Sequence, residues 1–157
     1  VSVDITDRDR RLIQALQQNS RASIQELAEV ATMSTSACWR RVKQLEDEKV
    51  ILGYTTLVDA DAMSLTFSAI VHITLARQDK GHVETFISAV SRRAEVLECF
   101  ATTGDADYHL RVLCRDKDHY NEFLEHFLFN LPGVAHIRTN LILKVIKMTT
   151  EVPIAKV

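Results

Sequence analysis

The chain has 157 residues, 46% of them apolar and 25% charged, which fits one medium domain or two small ones. A net charge of −2 argues against a basic protein that coats nucleic acid, yet leaves room for a local basic patch. No apolar run approaches the ~20 residues of a membrane span, so no membrane partner is expected. The N-terminal VSVDITDRDRR lacks the apolar core of a signal peptide. Cys38, Cys99 and Cys114 have no CxxC spacing, which argues against disulfide and zinc frameworks and for a reducing cytoplasm.

Apolar spacing near 3.6 predicts three short helices in the N-terminal third. The first starts at a Thr6 or Asp7 cap and runs through RDRRLIQALQQN, with Leu12, Ile13 and Leu16 as its buried stripe and Asn19-Ser20 as its end. The second is capped by Ser23, whose side chain can accept from an orphan N–H of the first turn, and buries Ile24, Leu27, Ala28 and Val30. The turn Ala31-Thr32-Met33 leads to a Ser34 cap and a third helix, STSACWRRVKQLE. Val50 to Val58 then reads as a small β element. Helix, helix, tight turn, helix and β element is the order of a winged helix-turn-helix.

Beyond Asp59-Ala60-Asp61 the period changes. Phe67, Ala69, Val71, Ile73 and Leu75 alternate, which predicts a strand. Val83, Phe86, Ile87 and Val90 follow helical spacing. Two strands are expected at Val96–Thr102 and Tyr108–Arg115, joined by the turn Thr103-Gly104-Asp105-Ala106-Asp107. Tyr120, Phe123, Leu124, Phe127, Leu128 and Leu131 form the clearest helical stripe, stopped by Asn130-Leu131-Pro132-Gly133. A last strand is expected from Ala135 to Lys147. The order βαββαβ is ferredoxin-like, a four-stranded antiparallel sheet with both helices on one face. The fold class is therefore α+β, divided into a winged helix-turn-helix over 1–53, a linking strand and hinge over 54–65, and a ferredoxin-like domain over 66–157. Ile70, Leu113, Ile142 and Ile146 fall out of phase with the helix-facing set. A second copy of the domain is the economical cover for that face, giving a two-fold dimer.

On a helical wheel at about 100° per residue, Cys38, Val42 and Leu45 form the core stripe of the third helix, and Ser36, Arg40, Lys43 and Asp47 face away. Short hydroxyls at the N-terminal end (Ser34, Thr35, Ser36) with Arg40 and Lys43 one and two turns later suit a recognition helix entering a major groove by its N-terminus. A solvated basic face is the plainer reading; the helix-turn-helix context decides for double-stranded DNA. Trp39 has two readings, packing at the domain edge or a base or sugar contact. Arg41, near the buried edge, pairs with Glu46 or another acid in place of DNA. Acids and cations balance between Val1 and Val50, eight of each, so one module should bind weakly alone and several held together should compensate.

At the level of these motifs the chain resembles the Lrp/AsnC family of transcription regulators, the feast/famine regulators. The stretches that carry the resemblance are Thr6 to Ile13, Ser34 to Glu46 followed by Val50 to Tyr54, and Thr103 to Tyr108. The resemblance implies an N-terminal DNA-binding domain and a C-terminal domain that forms a homo-oligomer, a dimer assembling to an octamer, and binds a small effector, commonly an amino acid. It places the effector in a cleft lined by Thr102, Thr103, Gly104, Asp105, Asp107 and Tyr108, with Thr149 and Thr150 as a second wall. An ammonium would need Asp105 or Asp107, and a carboxylate the Thr hydroxyls and N–H groups near Gly104. The chain departs from the family pattern in having Thr32 where Gly is frequent in the helix-turn-helix turn, Thr35 and Ala37 where Pro is frequent, and Ala106 at an aromatic position.

The rival class is an enzyme on the same architecture, resembling sirohaem decarboxylases; Ser36, Arg40 and Lys43 on the exposed helix face argue against it. No cofactor is expected. Asp105, Asp107 and His109 do not make a convincing metal site, because His109 should point to the other sheet face. No Ser or Cys sits in a recognisable nucleophile elbow.

Overall fold

The computed structural model describes residues 4–76 and 80–154. The outermost residues of the expected domains, 1–3 and 155–157, lie outside that description. Contacts group the chain into two compact units: residues up to Leu57 together with the C-terminal segment from Lys147, and Val58–Ile146.

The first unit is built on three helices, α1 (Asp7–Gln18), α2 (Ile24–Ala31) and α3 (Thr35–Asp47). Each begins where its cap was expected. Thr6 and Asp9 form a reciprocal capping box, as do Ser23 and Glu26, and Ser34 accepts from the Ala37 N–H. Leu12, Leu16, Leu27, Ala28, Ala31, Cys38, Val42 and Leu45 make one buried core. Val30, expected inside, is 49% exposed: it follows Leu27 by three positions, but the core stripe of this short helix already passes through Ala28 and Ala31.

Both α2 and α3 end in the Schellman pattern. The N–H groups of Thr32 and Met33 close on the carbonyls of Glu29 and Ala28, and those of Lys49 and Val50 on Glu46 and Leu45. The left-handed residue is Thr32 in one (φ 56°) and Lys49 in the other (φ 59°). The second turn directs Val50 and Ile51 onto the helical core. The β element expected over Val50–Val58 does not form. No strand occurs between residues 50 and 66, so the linking strand expected over 54–65 is absent as well; Leu52, Leu57 and Val58 are exposed, because this run finds no backbone partner for a ladder.

The second unit holds β1 (Phe67–Leu75), α4 (Lys80–Val90), β2 (Val96–Ala101), β3 (Tyr108–Cys114), α5 (Lys117–His126) and β4 (Val134–Leu141). The strands lie in the order β2-β3-β1-β4, and all three pairings are antiparallel. Val71, Ile73 and Leu75 of β1 and Leu110, Val112 and Cys114 of β3 share one core with Phe86 and Val90 of α4 and Tyr120 and Phe123 of α5. This is the expected ferredoxin-like arrangement. Two boundaries differ by more than one residue: α5 stops at His126 and continues as a 3-10 turn over Leu128–Asn130, and β4 ends at Leu141, not Lys147. Ile87, expected in the α4 stripe, is 45% exposed.

The opposite sheet face is mixed. Register sets Phe100, His109, His72 and Arg138 in one row across the four strands, and Glu98, Arg111, Ile70 and Asn140 in the next. Ile70, Leu113 and Ile142 are half-buried, whereas Ile146 lies beyond β4 and is 85% exposed.

Candidate nucleic-acid interface and effector turn

The outward face of α3 is as the wheel placed it. Ser34, Thr35, Ser36, Trp39, Arg40 and Lys43 are all exposed. Ser34 Oγ caps the first turn and lies 3.3 Å from Ser36 Oγ. Trp39 keeps 55% of its surface open, so it is not a core side chain. Behind this face Cys38, Val42 and Leu45 are buried, and burial raises the Cys38 thiol pKa, which marks it as packing and not as a reactive group.

The three cations of α3 divide by role. Arg41 Nε donates to Asp9 Oδ1 at 2.7 Å and its Nη2 to Oδ2 at 2.8 Å, while Nη1 donates to Gln44 Oε1 and Nη2 also to the Asp4 carbonyl. Its partner is therefore Asp9 and not Glu46. Glu46 instead accepts from the Tyr54 hydroxyl at 2.8 Å; burial, and then that carboxylate, push the Tyr54 pKa up to about 12. Glu48 accepts from Gln44. Arg40 and Lys43 have no ion-pair partner among the described residues. The spacing of the helix identified the exposed cations but missed Asp9. The signal available was the Thr6-x-x-Asp9 capping box, which puts a buried carboxylate at the start of α1.

The turn between β2 and β3 is tied to the end of β1. The Thr102 N–H donates to the Asp107 carbonyl, and Thr102 Oγ1 to the Ala106 carbonyl. The Asp107 N–H donates to the Ile73 carbonyl at 2.9 Å, and Asp107 Oδ2 accepts from the Leu75 N–H at 2.7 Å. Asp107 is thus half-buried and already occupied as a strand-end acceptor. Asp105 is exposed, and among the described residues only its carbonyl is bonded, by Thr74 Oγ1. Thr103 and Gly104 are exposed, Gly104 at φ +118°, a conformation that favours glycine. Ala106 is buried at 7%, and the Tyr108 ring packs on Phe86 at 4.7 Å between centroids. Thr149 and Thr150 fall in the C-terminal segment, which groups with the other unit. His109 stacks edge-on with His72 at 4.6 Å.

Two family descriptions match this chain. An AsnC-type helix-turn-helix domain covers residues 5–46, and an Lrp/AsnC ligand binding domain covers residues 68–152. The chain belongs to the Lrp/AsnC family. Among similar members is the DNA-binding transcriptional activator DecR of Escherichia coli K12, 33% identical over 93% of this chain and 96% of its own length. The Bkd operon transcriptional regulator of Pseudomonas aeruginosa is 34% identical over 93% of this chain and 95% of its own. A transcriptional regulator from Neisseria meningitidis, solved as its L-Met complex, is 34% identical, covers 97% of both chains and superposes with a TM-score of 0.89. A feast or famine regulatory protein from M. tuberculosis, also complexed with L-methionine, is 27% identical over 97% of this chain and all of its own, with a TM-score of 0.87. As an Lrp/AsnC protein the chain is a DNA-binding transcription regulator with an appended ligand-binding domain. None of its described helices is long and apolar enough to cross a membrane.

Proposed function

We propose that this regulator reads operator DNA with Ser34, Thr35, Ser36, Trp39, Arg40 and Lys43, and acts by binding, not by catalysis. The observation that carries this reading is the division of labour on α3: Arg41 is consumed by Asp9, while Arg40 and Lys43 stand exposed on the same face as the hydroxyls. Cations placed behind a hydroxyl-bearing helix N-terminus can reach phosphates or guanine acceptors.

The proposed effector is an amino acid, held by Thr102, Thr103, Gly104, Asp105, Asp107 and Tyr108, and changing assembly or DNA affinity. The L-methionine complexes of two solved relatives support the ligand class. The exposed Asp105 carboxylate, unpaired among the described residues, supports a role as ammonium acceptor. The functional division proposed is DNA reading in 1–53, a link over 54–65, and effector binding and oligomerisation in 66–157.

The proposed assembly is a homo-oligomer built on a dimer and extending to an octamer, working in the cytoplasm. Exposed apolar residues along two runs, Leu52, Leu57 and Val58, and Leu143, Ile146 and Met148, support a cover supplied by further copies. The test is a band shift on the protein's own promoter region at moderate salt, with and without a panel of amino acids. A specific shift altered by one amino acid is expected. No specific shift there or in a random-sequence selection overturns the reading.

A further inference from the structure

Gln17, half-buried near the end of α1, holds one residue of the C-terminal segment from both sides. Its Oε1 accepts from the Val152 N–H at 2.6 Å and its Nε2 donates to the Val152 carbonyl at 3.1 Å. A planar carboxamide offers one acceptor and a donor side by side, so the side chain satisfies Val152 as a neighbouring strand would. In the same segment the Thr149 hydroxyl accepts from the Glu151 N–H. Gln14 and Gln17 on one wall, and Lys147, Thr149, Glu151 and Val152 on the other, bound a cleft of about 440 Å³.

The clasp has a topological consequence. The helical unit is connected to the sheet unit at two points of the chain, Leu57–Val58 and Ile146–Lys147. The first connector follows a run with no regular structure and exposed apolar side chains. Alone it would act as a flexible tether with many accessible orientations. The second connector counts as a restraint only if the segment after Lys147 stays fastened to α1, and Gln17 fastens it there through two side-chain bonds.

We propose that Gln17 is a positioning residue for DNA recognition: by clasping Val152 it closes a second link to the sheet unit and narrows the orientations in which α3 is presented. This rests on the DNA-binding oligomer proposed above. A charge-balanced reading head gains from being held, because a restrained second head meets its half-site at a higher effective concentration.

The test uses the full chain carrying Cys99→Ser, with spin labels at Arg11→Cys and Glu122→Cys, both exposed positions, diluted with unlabelled chain so that only distances within a chain are read. The distance distribution is expected to broaden on Gln17→Ala and on ending the chain at Ile146. Gln17→Glu, which keeps the acceptor and loses the donor, should fall between. Affinity for DNA with two half-sites should drop about tenfold in Gln17→Ala, with single half-site affinity unchanged. An unaltered distribution in Gln17→Ala overturns the proposal. Equal losses on one and two half-sites also overturn it, since they indicate damage to the helices themselves. Should the unsubstituted protein bind no DNA, the functional reading fails while the distances still report on the clasp.

Discussion

Arg41 and Asp9 meet in a bidentate pair that joins the middle of α3 to the first turn of α1, with the carboxylate only 2% exposed. Asp9 is not held by Arg41 alone. Its Oδ2 also accepts from the Thr6 N–H and hydroxyl, so the capping box of α1 and the anchor of α3 share one carboxylate. Removing one partner of such a pair leaves the other charge unpaired, which typically costs more than the intact pair contributes. Asp9→Ala should lower stability by about 3 kcal/mol in urea denaturation. Arg41→Ala should behave similarly, and the double variant should cost clearly less than the two together. Additive losses would show that the two residues do not act as a pair.

The same pair sets an acid limit. Burial alone would raise the Asp9 pKa, but the Arg41 and Thr6 hydrogen bonds and the Arg41 charge outweigh it and bring it down to about 2. A carboxylate depressed in the folded state contributes its stability in full above its unfolded pKa of about 3.9 and loses it as pH falls toward about 2. The contribution is about 2 kcal/mol. Acid titration of stability should therefore fall between about pH 4.5 and pH 2 in the natural chain. Asp9→Asn should flatten that portion of the curve.

Helix periods, caps and strand alternation were all legible because each depends on residues close in sequence. Ser23 and Ser34 cap their helices for reasons contained within three positions, and Phe67 to Leu75 alternates because one sheet face meets helices. The outward face of α3 follows from the same periodicity. The Val50–Val58 run illustrates the limit. Its apolar content is strand-like, but a strand exists only with a partner ladder, and nothing local in the sequence says whether one is present. The Arg41–Asp9 and Gln17–Val152 contacts were illegible for a related reason, since they join residues 32 and 135 positions apart.

Thr32 occupies the left-handed position of the α2 Schellman turn, at φ 56° and ψ 56°. A β-branched side chain is strained there, and glycine is not. Thr32→Gly should raise stability by about 1 kcal/mol, the relief of strain exceeding the entropy lost by a freer unfolded chain. Thermal denaturation checks this, and a lowered melting temperature would mean that the Thr side chain contributes contacts worth more than the strain.

Arg40 and Lys43 differ from Arg41 in having no ion-pair partner among the described residues. Replacing both with Ala should leave melting temperature and sedimentation unchanged and remove specific operator binding. If each contacts one phosphate, the slope of log affinity against log salt should fall by about two. A base contact by Arg40 would instead relax preference at one operator position by about 1–3 kcal/mol, which a half-site substitution series resolves.

The two acids of the β2–β3 turn should separate by experiment. Asp107 Oδ2 accepts from the Leu75 N–H at 2.7 Å, and Leu75 is only 7% exposed. Asp107→Ala would leave that buried donor unpaired and should cost about 1–3 kcal/mol, whatever it does to effector binding. Asp107→Asn, whose amide oxygen can still accept, should cost much less. Asp105 makes no side-chain bond of this kind among the described residues and is exposed. Asp105→Ala should therefore leave stability within about 0.5 kcal/mol of the natural chain while abolishing the melting-temperature shift caused by the effector amino acid. A shift that survives Asp105→Ala and disappears in Asp107→Asn would move the ammonium acceptor to Asp107, and would mean that this carboxylate holds both the end of β1 and the ligand.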